Sequence, residues 1–291
     1  MAHSTKAGYV DRPQFETYSR KFAAFFQMER RDGIILVRLH HRGGSAKFDF
    51  AAHNAWGQAW HEIGNDPANE VMILTGTGEE WIGNHEMTFE ESLEKRPAVD
   101  VYDEGYYDGL KCIENLLFDI DIPTIAAVNG PGTFTMLGLM CDITLCAESA
   151  AFFDCHFSMG IVPGDGQQLA FQELIGAKRA AYHLYTGAPI DAHTALQLGL
   201  VNEVLPNERL LPRAWEIAAA IMQRPRIVRR MTSQVVRRPW KRRVVDDLQL
   251  AYAHEQLCVL ADAPDPKLIN SVLKDSLLQA KKSRHKRPEP R

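Results

Sequence analysis

The chain has 291 residues, of which 45% are hydrophobic, so it can bury a substantial core in one large domain or two small ones. The formal net charge of −4 gives no overall attraction to nucleic acid or to an anionic membrane, because such partners select a basic surface. No apolar run approaches the ~18 residues that a membrane helix needs, and the N-terminal sequence lacks the apolar region of a signal peptide. These features favour a cytoplasmic protein.

The cysteines are odd in number, form no Cys-x-x-Cys pair and mostly lie in apolar sequence. This pattern is not that of a disulfide framework, so we expect reduced thiols in the core. The five positions are Cys112, Cys141, Cys146, Cys155 and Cys258.

The N-terminal part begins with residues 1–20, which are polar and aperiodic and predict a flexible arm. Two apolar runs then flank Asp32-Gly33, and Asp-Gly between two strands is a strong signal for a β-hairpin. The pattern next predicts a helix over residues 50–63 and a strand over residues 70–75.

The next apolar pattern, up to residue 119, is mostly helical after Pro97, with Tyr102, Tyr106 and Tyr107 at helical spacing. Aromatic residues in such a pattern are usually core residues. Tyr106 or Tyr107 can also line a substrate cavity, because tyrosine presents an apolar face with a hydroxyl at its tip.

The stretch from residue 122 to residue 168 organises the chain. Short apolar runs at 124–128, 143–146 and 151–153 alternate with turns that contain glycine, which is typical of buried strands in an α/β layer. His156 and Asp165 lie in the turns of this stretch. Free backbone amides at such turns can meet a substrate oxygen, so we expect the chemistry here.

The remaining sequence predicts scaffold. Helices are expected over residues 168–176 and 177–185, then a helix that Asp191 caps and Gly199 ends, and then an edge strand over residues 201–205. Three further helices are expected in the C-terminal part, over residues 210–222, 225–236 and 246–260. Two segments, 224–243 and the tail 271–291, are strongly basic, as solvated faces and disordered ends often are.

Three stretches carry a resemblance to a known family: IPTIAAVNG at 122–130, MCDITLCAESAAF at 140–152 and GIVPGDG at 160–166. Together they resemble the crotonase (enoyl-CoA hydratase/isomerase) superfamily, and the likeness extends from about residue 26 to about residue 258. It implies an α/β crotonase (ClpP/crotonase-like) fold, a ββα-superhelix spiral core with a C-terminal helical part that mediates trimerisation. The implied divisions are a flexible N-terminal arm (1–20), the spiral core with the active site (21–205), the C-terminal helical region (206–270) and a basic tail (271–291).

Within that superfamily the chain looks most similar to β-diketone hydrolases of the 6-oxocamphor hydrolase type. The stretches that carry this likeness are LTGTG at 74–78, HFSMGIVPGDG at 156–166, LLPRAWEIA at 210–218 and AHE at 253–255. The likeness implies hydrolysis of a carbon–carbon bond in a β-diketone, a retro-Claisen reaction, without metal, organic cofactor or coenzyme A. It also implies a homotrimer or a dimer of trimers.

The same likeness assigns roles to residues. His156 would be the base that activates water, Asp165 its carboxylate partner, and Glu255 a third catalytic group. A histidine suits this task because it exchanges protons near neutral pH, and a carboxylate on its other nitrogen fixes the tautomer. The backbone amides of His85 and Thr135 would form the oxyanion hole. Residues expected to bind substrate are Asn84, Phe48, Tyr107 and Phe134.

One departure concerns the turn at residues 133–136. The camphor-type hydrolases place a histidine there to hold the second carbonyl, whereas this chain has Phe134-Thr135-Met136 and a turn one residue shorter. Two other functions therefore stay open.

The first is a hydratase, isomerase or hydrolase acting on coenzyme A thioesters. The acidic sequence at 83–95 disfavours it, because carboxylates repel the phosphates of coenzyme A. The second is a non-catalytic or RNA-binding homologue that uses the basic C-terminal stretch.

Overall fold

The computed structural model describes residues 10–83, 98–262 and 265–283. A six-stranded sheet, in the order β1-β2-β4-β6-β7-β10, lies at its centre, and two pairs of short strands, β3-β5 and β8-β9, stand beside it. The strands are β1 (Phe26–Arg31), β2 (Ile34–Leu39), β3 (Ala46–Lys47), β4 (Val71–Thr75), β5 (Ile82–Gly83), β6 (Thr124–Val128), β7 (Ile143–Ala147), β8 (Ala151–Phe152), β9 (Ile190–Asp191) and β10 (Glu203–Leu205).

Helices cover the sheet and form the C-terminal part. They are α1 (Phe15–Lys21), α2 (Phe50–Asn65), α3 (Ala98–Asp100), α4 (Asp108–Phe118), α5 (Met136–Leu139), α6 (Gln167–Ile175), α7 (Ala177–Thr186), α8 (Ala192–Leu198), α9 (Asn207–Met222), α10 (Arg226–Val236), α11 (Arg238–Arg243), α12 (Gln249–Ala261) and α13 (Pro266–Ser283). Two π-helical segments, Val101–Tyr107 and Val244–Leu248, and a 3₁₀ turn at Phe157–Met159 connect some of them. None of these helices in the described residues combines the length and the apolarity that a membrane crossing requires.

The predicted hairpin is confirmed. Strands β1 and β2 pair antiparallel from Phe26 opposite Leu39 to Arg31 opposite Ile34. Asp32 and Gly33 at the turn both have positive φ, 49° and 84°, which matches the twist of the two strands. The other neighbouring strands of the large sheet pair parallel. Each connection between them therefore runs from the carboxyl end of one strand back to the amino end of the next.

The central strands of the sheet are buried on both faces, which explains why β4 and β6 read as continuous apolar runs. Every residue of β4 and of β6 is buried. One face packs against α9 through residues such as Ile73 and Ala214, and the other packs against α2 and α4 through residues such as Leu74 and Trp56. The predicted scaffold helices are present, and Asp191 caps α8 by accepting a hydrogen bond from the Thr194 amide over 3.0 Å.

Two turns at the carboxyl ends of β4 and β6 lie against each other, and this contact frames the site. The Asn129 side chain donates hydrogen bonds to the carbonyl oxygens of Gly78, over 2.8 Å, and Glu80, over 3.0 Å. Gly130 is required here, because a Cβ at that position would lie 1.9 Å from the Glu79 carbonyl oxygen. The turn before α5 is therefore held in one place.

Two predicted segment boundaries are wrong. Part of the expected flexible arm, from Phe15, forms α1, because Tyr18 is fully buried and its hydroxyl donates a hydrogen bond to Asp66 over 3.0 Å. Part of the expected basic tail belongs to α13, whose apolar face is buried against the chain around β8. That face consists of Ile269, Leu273, Leu277 and Ala280, at helical spacing among charged residues.

The basic run at 224–243 holds the scaffold together. Arg226 and Arg229 both bond to Glu70, Arg230 bonds to Asp121, and Arg237 bonds to Asp142. Arg237 is only 2% exposed and also donates to the carbonyl oxygens of Ile120 and Ile122. All five cysteines are free thiols, and four of them are buried, as expected from their apolar sequence.

Candidate active site

A cavity of about 110 Å³ lies between the loops that follow β6 and β8 and the C-terminal helices α12 and α13. Most of its wall is apolar and aromatic, and its acidic groups come from the loop after β8, the turn before α6, and α12. No lysine or arginine of the described residues lines it. Its lining comprises Phe48, Phe50, His53, Gly105, Thr133, Phe134, Phe153, Asp154, Cys155, His156, Met159, Ile161, Asp165, Gln167, Tyr252, Glu255, Gln256, Val259, Ile269 and Leu273.

His156 lies in this wall between two carboxylates. Its Nδ1 is 3.1 Å from Oδ2 of Asp154, and its Nε2 is 3.9 Å from Oδ2 of Asp165. The amide of His156 also donates to Oδ1 of Asp154 over 3.0 Å, so Asp154 holds both the backbone and the ring. The family resemblance implies Asp165 as the orienting carboxylate. The structure instead joins the His156 ring to Asp154 by a direct hydrogen bond, while the gap to Asp165 exceeds hydrogen-bond length.

Asp165 and Glu255 are brought to the same cavity by one close contact. The amide of Gly164 donates to Oε2 of Glu255 over 3.1 Å. A Cβ at Gly164 would lie 2.3 Å from the Ala251 carbonyl oxygen, so glycine lets the turn before α6 touch α12. Asp165 is fixed by the Gln167 amide, which donates to its Oδ1 over 3.0 Å. Glu255 is thus a buried member of this group rather than a solvated surface carboxylate.

Burial and mutual charge change the protonation of the group. Burial lowers the pKa of His156, but the charges of Asp154 and Asp165 outweigh it and hold that pKa well above its usual value. Burial raises the pKa of Asp165, against the opposing charge of His156. Burial likewise raises the pKa of Glu255 to about 8. At neutral pH His156 therefore carries a proton, and Glu255 is largely neutral.

The four amides of the turn at 133–136 differ in their partners within the described residues. The Thr133 amide donates to the Ile82 carbonyl over 3.1 Å, and the Met136 amide donates to Oε1 of Gln167 over 2.9 Å. The amides of Phe134 and Thr135 have no acceptor among the described residues. Thr135 itself is fully buried and bonds Gln167 through its hydroxyl, while Thr133 and Phe134 line the cavity. The other expected oxyanion donor, His85, and the expected binding residue Asn84 lie outside the described residues.

Phe48 and Phe134 both line the cavity, where their rings stack 4.5 Å apart. Tyr107 does not line it within the described part of the chain. Tyr107 is 48% exposed, with the Lys111 ammonium group over its ring, so the described cavity does not support its expected role in substrate binding, which stays a prediction. Tyr107 ends the π-helical segment Val101–Tyr107, whose turns are wider than those of an α-helix, so α-helical spacing does not give the face on which it lies.

Sequence patterns do not single out most of the cavity wall, including Asp154, His53 and Tyr252. Asp154 lies only two residues before His156. His53 and Tyr252 come from α2 and α12, and the Tyr252 hydroxyl lies 3.3 Å from Nε2 of His53. No sequence spacing could link two residues that are 199 positions apart.

Three residues bring potential metal ligands together. One atom each from Asp154, His156 and Asp165 lies within 4.8 Å of the other two, and this is the one such group in the described residues. Carboxylate and imidazole groups suit divalent transition metals. The hydrogen bond between Asp154 and Nδ1 of His156 competes with metal binding, because the proton between these two atoms occupies the place of a metal ion.

Comparisons with known proteins agree on the family of this chain. The profile of a family described as "Enoyl-CoA hydratase/isomerase" matches residues 29–256. A crotonyl-CoA hydratase from Syntrophomonas wolfei is 31% identical over 173 residues, 58% of this chain and 65% of that protein, just under two thirds of its length. A carnitinyl-CoA dehydratase from Salmonella paratyphi A is 32% identical over 195 residues, 66% of this chain and 72% of that protein.

Among solved structures, a β-diketone hydrolase from the cyanobacterium Anabaena sp. PCC 7120, bound to (S)-3-oxocyclohexyl acetic acid, is 33% identical. The two structures agree with a TM-score of 0.77 over 84% of this chain and 98% of that one. An enoyl-CoA hydratase/isomerase from Mycobacterium paratuberculosis has a TM-score of 0.76 at 24% identity, over 87% and 98% of the two chains, which shows a shared fold.

Proposed function

The chain belongs to the enoyl-CoA hydratase/isomerase family, the crotonase superfamily, and from this premise we propose that it hydrolyses a carbon–carbon bond of a β-diketone. The observation that carries the proposal is His156, held in an apolar cavity by Asp154 on one ring nitrogen with the other nitrogen 3.9 Å from Asp165. The likeness to the Anabaena β-diketone hydrolase supports the same choice.

The proposed reaction uses the unprotonated fraction of His156 as a general base. A water molecule bridges Nε2 and Asp165, since a 3.9 Å gap is too long for a direct hydrogen bond. His156 takes a proton from this water as its oxygen adds to one carbonyl carbon. The bond between that carbon and the central carbon then breaks, and its electron pair forms an enolate on the second carbonyl.

Two events complete the reaction. The negative oxygens that develop are stabilised by main-chain amides, and we assign this role to the amides of Phe134 and Thr135, which have no acceptor among the described residues. A proton returns to the central carbon from the imidazolium or from Glu255, which is largely neutral below about pH 8. The products are a carboxylic acid and a ketone, joined in one molecule if the diketone was cyclic.

A second candidate is a hydratase, isomerase or hydrolase for coenzyme A thioesters, as the names of the two curated relatives suggest. The described cavity supports it less, because Asp154 and Asp165 flank its one protonated group, His156, and its lining contains no lysine or arginine to meet phosphates. An RNA-binding role is also less supported. Four arginines of the basic run are already bonded to carboxylates within the scaffold.

Product analysis separates these functions. The enzyme is incubated in parallel with 2,2-dimethylcyclohexane-1,3-dione and with crotonyl-CoA, and the products are followed by liquid chromatography and mass spectrometry. This diketone cannot form an enolate between its carbonyls, so it stays neutral beside the acidic groups. The proposal expects a ring-opened keto acid and intact thioester. Hydration of crotonyl-CoA with no conversion of the diketone would contradict the proposal and support the second candidate.

A further inference from the structure

We propose that His53 and Tyr252 form a second polar site in the cavity, which donates a hydrogen bond to a carbonyl oxygen of the substrate. The inference rests on the proposed function for the identity of that carbonyl as one of the two in a β-diketone. It places this contact on α2 and α12, which carry His53 and Tyr252.

Both side chains are enclosed and both line the cavity. His53 is 4% exposed and Tyr252 is 1% exposed. Their polar ends meet, with the tyrosine hydroxyl 3.3 Å from Nε2 of the imidazole. Nδ1 of His53 is buried and has no hydrogen-bond partner among the described residues. Buried polar atoms are nearly always bonded, so an orphaned atom beside a cavity indicates a missing ligand group.

Counting hydrogens sharpens this point. Burial keeps His53 uncharged, with a pKa of about 3, and burial also raises the pKa of Tyr252, so the phenol keeps its proton. The pair therefore carries one imidazole N–H and one O–H. If the hydroxyl donates to Nε2, the proton on Nδ1 has no acceptor in the described part of the chain. If Nε2 donates to the hydroxyl oxygen, it is the hydroxyl proton that has no acceptor there. In both arrangements one hydrogen is left for a ligand.

The surroundings fix the pair in place. A Cβ at Gly109 would lie 2.5 Å from the Tyr252 hydroxyl and 2.7 Å from Cε1 of His53, so only glycine at this position on α4 leaves room for both. The rings of Phe48 and Phe134 meet the imidazole edge to face, at centroid distances of 5.1 and 5.7 Å. This packing holds the imidazole at one angle beside the cavity.

The ligand chemistry follows from the charges. A neutral donor among aromatic rings suits a neutral acceptor such as a ketone oxygen. An anionic acceptor is disfavoured, since Asp154 and Asp165 line the same cavity and already neutralise its one cationic group, His156. The cavity thus has two polar regions, His156 with its carboxylates and the His53–Tyr252 pair, with apolar surface around them. Two carbonyls on a compact apolar frame match that arrangement.

The kinetic test uses Tyr252→Phe and His53→Leu with 2,2-dimethylcyclohexane-1,3-dione. Loss of one hydrogen bond to the substrate is expected to lower kcat/KM by roughly 10-fold in each variant. Tyr18→Phe is the matched control, because it also removes a buried, hydrogen-bonded hydroxyl, at a residue that does not line the cavity. It is expected to keep the wild-type kcat/KM. Wild-type kcat/KM in both cavity variants would overturn the proposal.

A binding test separates this proposal from the proposed function. The diketone, labelled with ¹³C at its carbonyls, is added to His156→Ala alone and in combination with Tyr252→Phe or His53→Leu. Infrared spectroscopy is expected to show one carbonyl band at lowered frequency in His156→Ala, and each second substitution is expected to abolish that lowering. A merely structural role would leave the band unchanged. If the wild-type enzyme does not hydrolyse the diketone but the carbonyl band still shifts, the proposed function is contradicted and the His53–Tyr252 site is supported.

Discussion

Asp154 holds His156 twice, through the ring nitrogen Nδ1 at 3.1 Å and through the backbone amide at 3.0 Å. One carboxylate thereby fixes both the position and the tautomer of the imidazole, and Nε2 is left to face Asp165. We therefore assign the orienting role to Asp154 instead of Asp165, for which the resemblance implies it. We expect Asp165 to bind the water that bridges it to Nε2 of His156.

Replacing Asp154 should change the pH dependence of the reaction. As a base, His156 works only when it is unprotonated, so kcat/KM should rise as pH increases through its raised pKa. Asp154→Asn removes one of the charges that raise this pKa and should move the rising limb to lower pH by roughly 1 unit or more. The measurement is kcat/KM for the diketone between about pH 5 and pH 10.

The control for this shift is Asp119→Asn. Asp119 lies 2.8 Å from Nδ1 of the exposed His61, so it forms the same kind of pair outside the cavity. That variant should reproduce the wild-type profile. A rising limb that stays in place in Asp154→Asn would show that Asp154 does not act on the catalytic imidazole.

Glu255 should control the alkaline side of the profile. Its pKa of about 8 means that it can give up a proton below that pH and loses this ability above it. Glu255→Gln keeps an oxygen for the Gly164 amide but has no proton to transfer, so the falling limb should disappear and kcat should drop by roughly 10- to 100-fold. Glu203→Gln, which changes a carboxylate on the surface, is the control. A falling limb that persists in Glu255→Gln would exclude this role.

The buried ion pair between Arg237 and Asp142 should be a major element of stability. Arg237→Met leaves Asp142 without its partner beside the sheet, and such a loss typically costs about 3–5 kcal/mol of the free energy of unfolding. Urea unfolding measures this change. The double variant Arg237→Met/Asp142→Asn should recover part of it. Arg213→Met, at a surface pair with Glu203, should change stability little. An equal effect at both arginines would contradict the role given to burial.

Catalysis should not depend on a metal ion. Asp154, His156 and Asp165 could offer three ligands, but the proposed mechanism needs the imidazole free to take a proton. Dialysis against EDTA should therefore leave the rate of diketone hydrolysis unchanged, and added Zn²⁺ should inhibit by occupying the base. If EDTA abolishes the activity and a divalent ion restores it, these residues serve as metal ligands instead.

Elements with a local signal were predictable from the sequence. The hairpin at Asp32-Gly33, the buried strands β4, β6 and β7, and the cap of α8 at Asp191 follow from turn residues and apolar runs. Helix α13 was not predicted, since lysines between its apolar residues made the segment look like a basic tail. Its stability comes from packing around β8, which sequence spacing does not reveal.

The ionisable residues of the site were predictable only where they lie in a short motif that resembles a known family. His156, Asp165 and Glu255 were singled out by their motifs, and the structure brings all three to one cavity. Asp154 was missed because its role depends on the chain folding back over two residues. The His53–Tyr252 contact depends on how α2 and α12 pack, and no local pattern encodes that.

The most direct test of the whole account is the rate at which the wild type and His156→Ala convert 2,2-dimethylcyclohexane-1,3-dione into its keto acid. The account predicts that the wild type forms the keto acid and that His156→Ala is slower by roughly 10²- to 10⁴-fold with an unchanged circular dichroism spectrum. His183→Ala, which changes a histidine bonded to the Ala188 carbonyl away from the cavity lining, should match the wild type. Keto acid formed by His156→Ala at the wild-type rate would contradict the account.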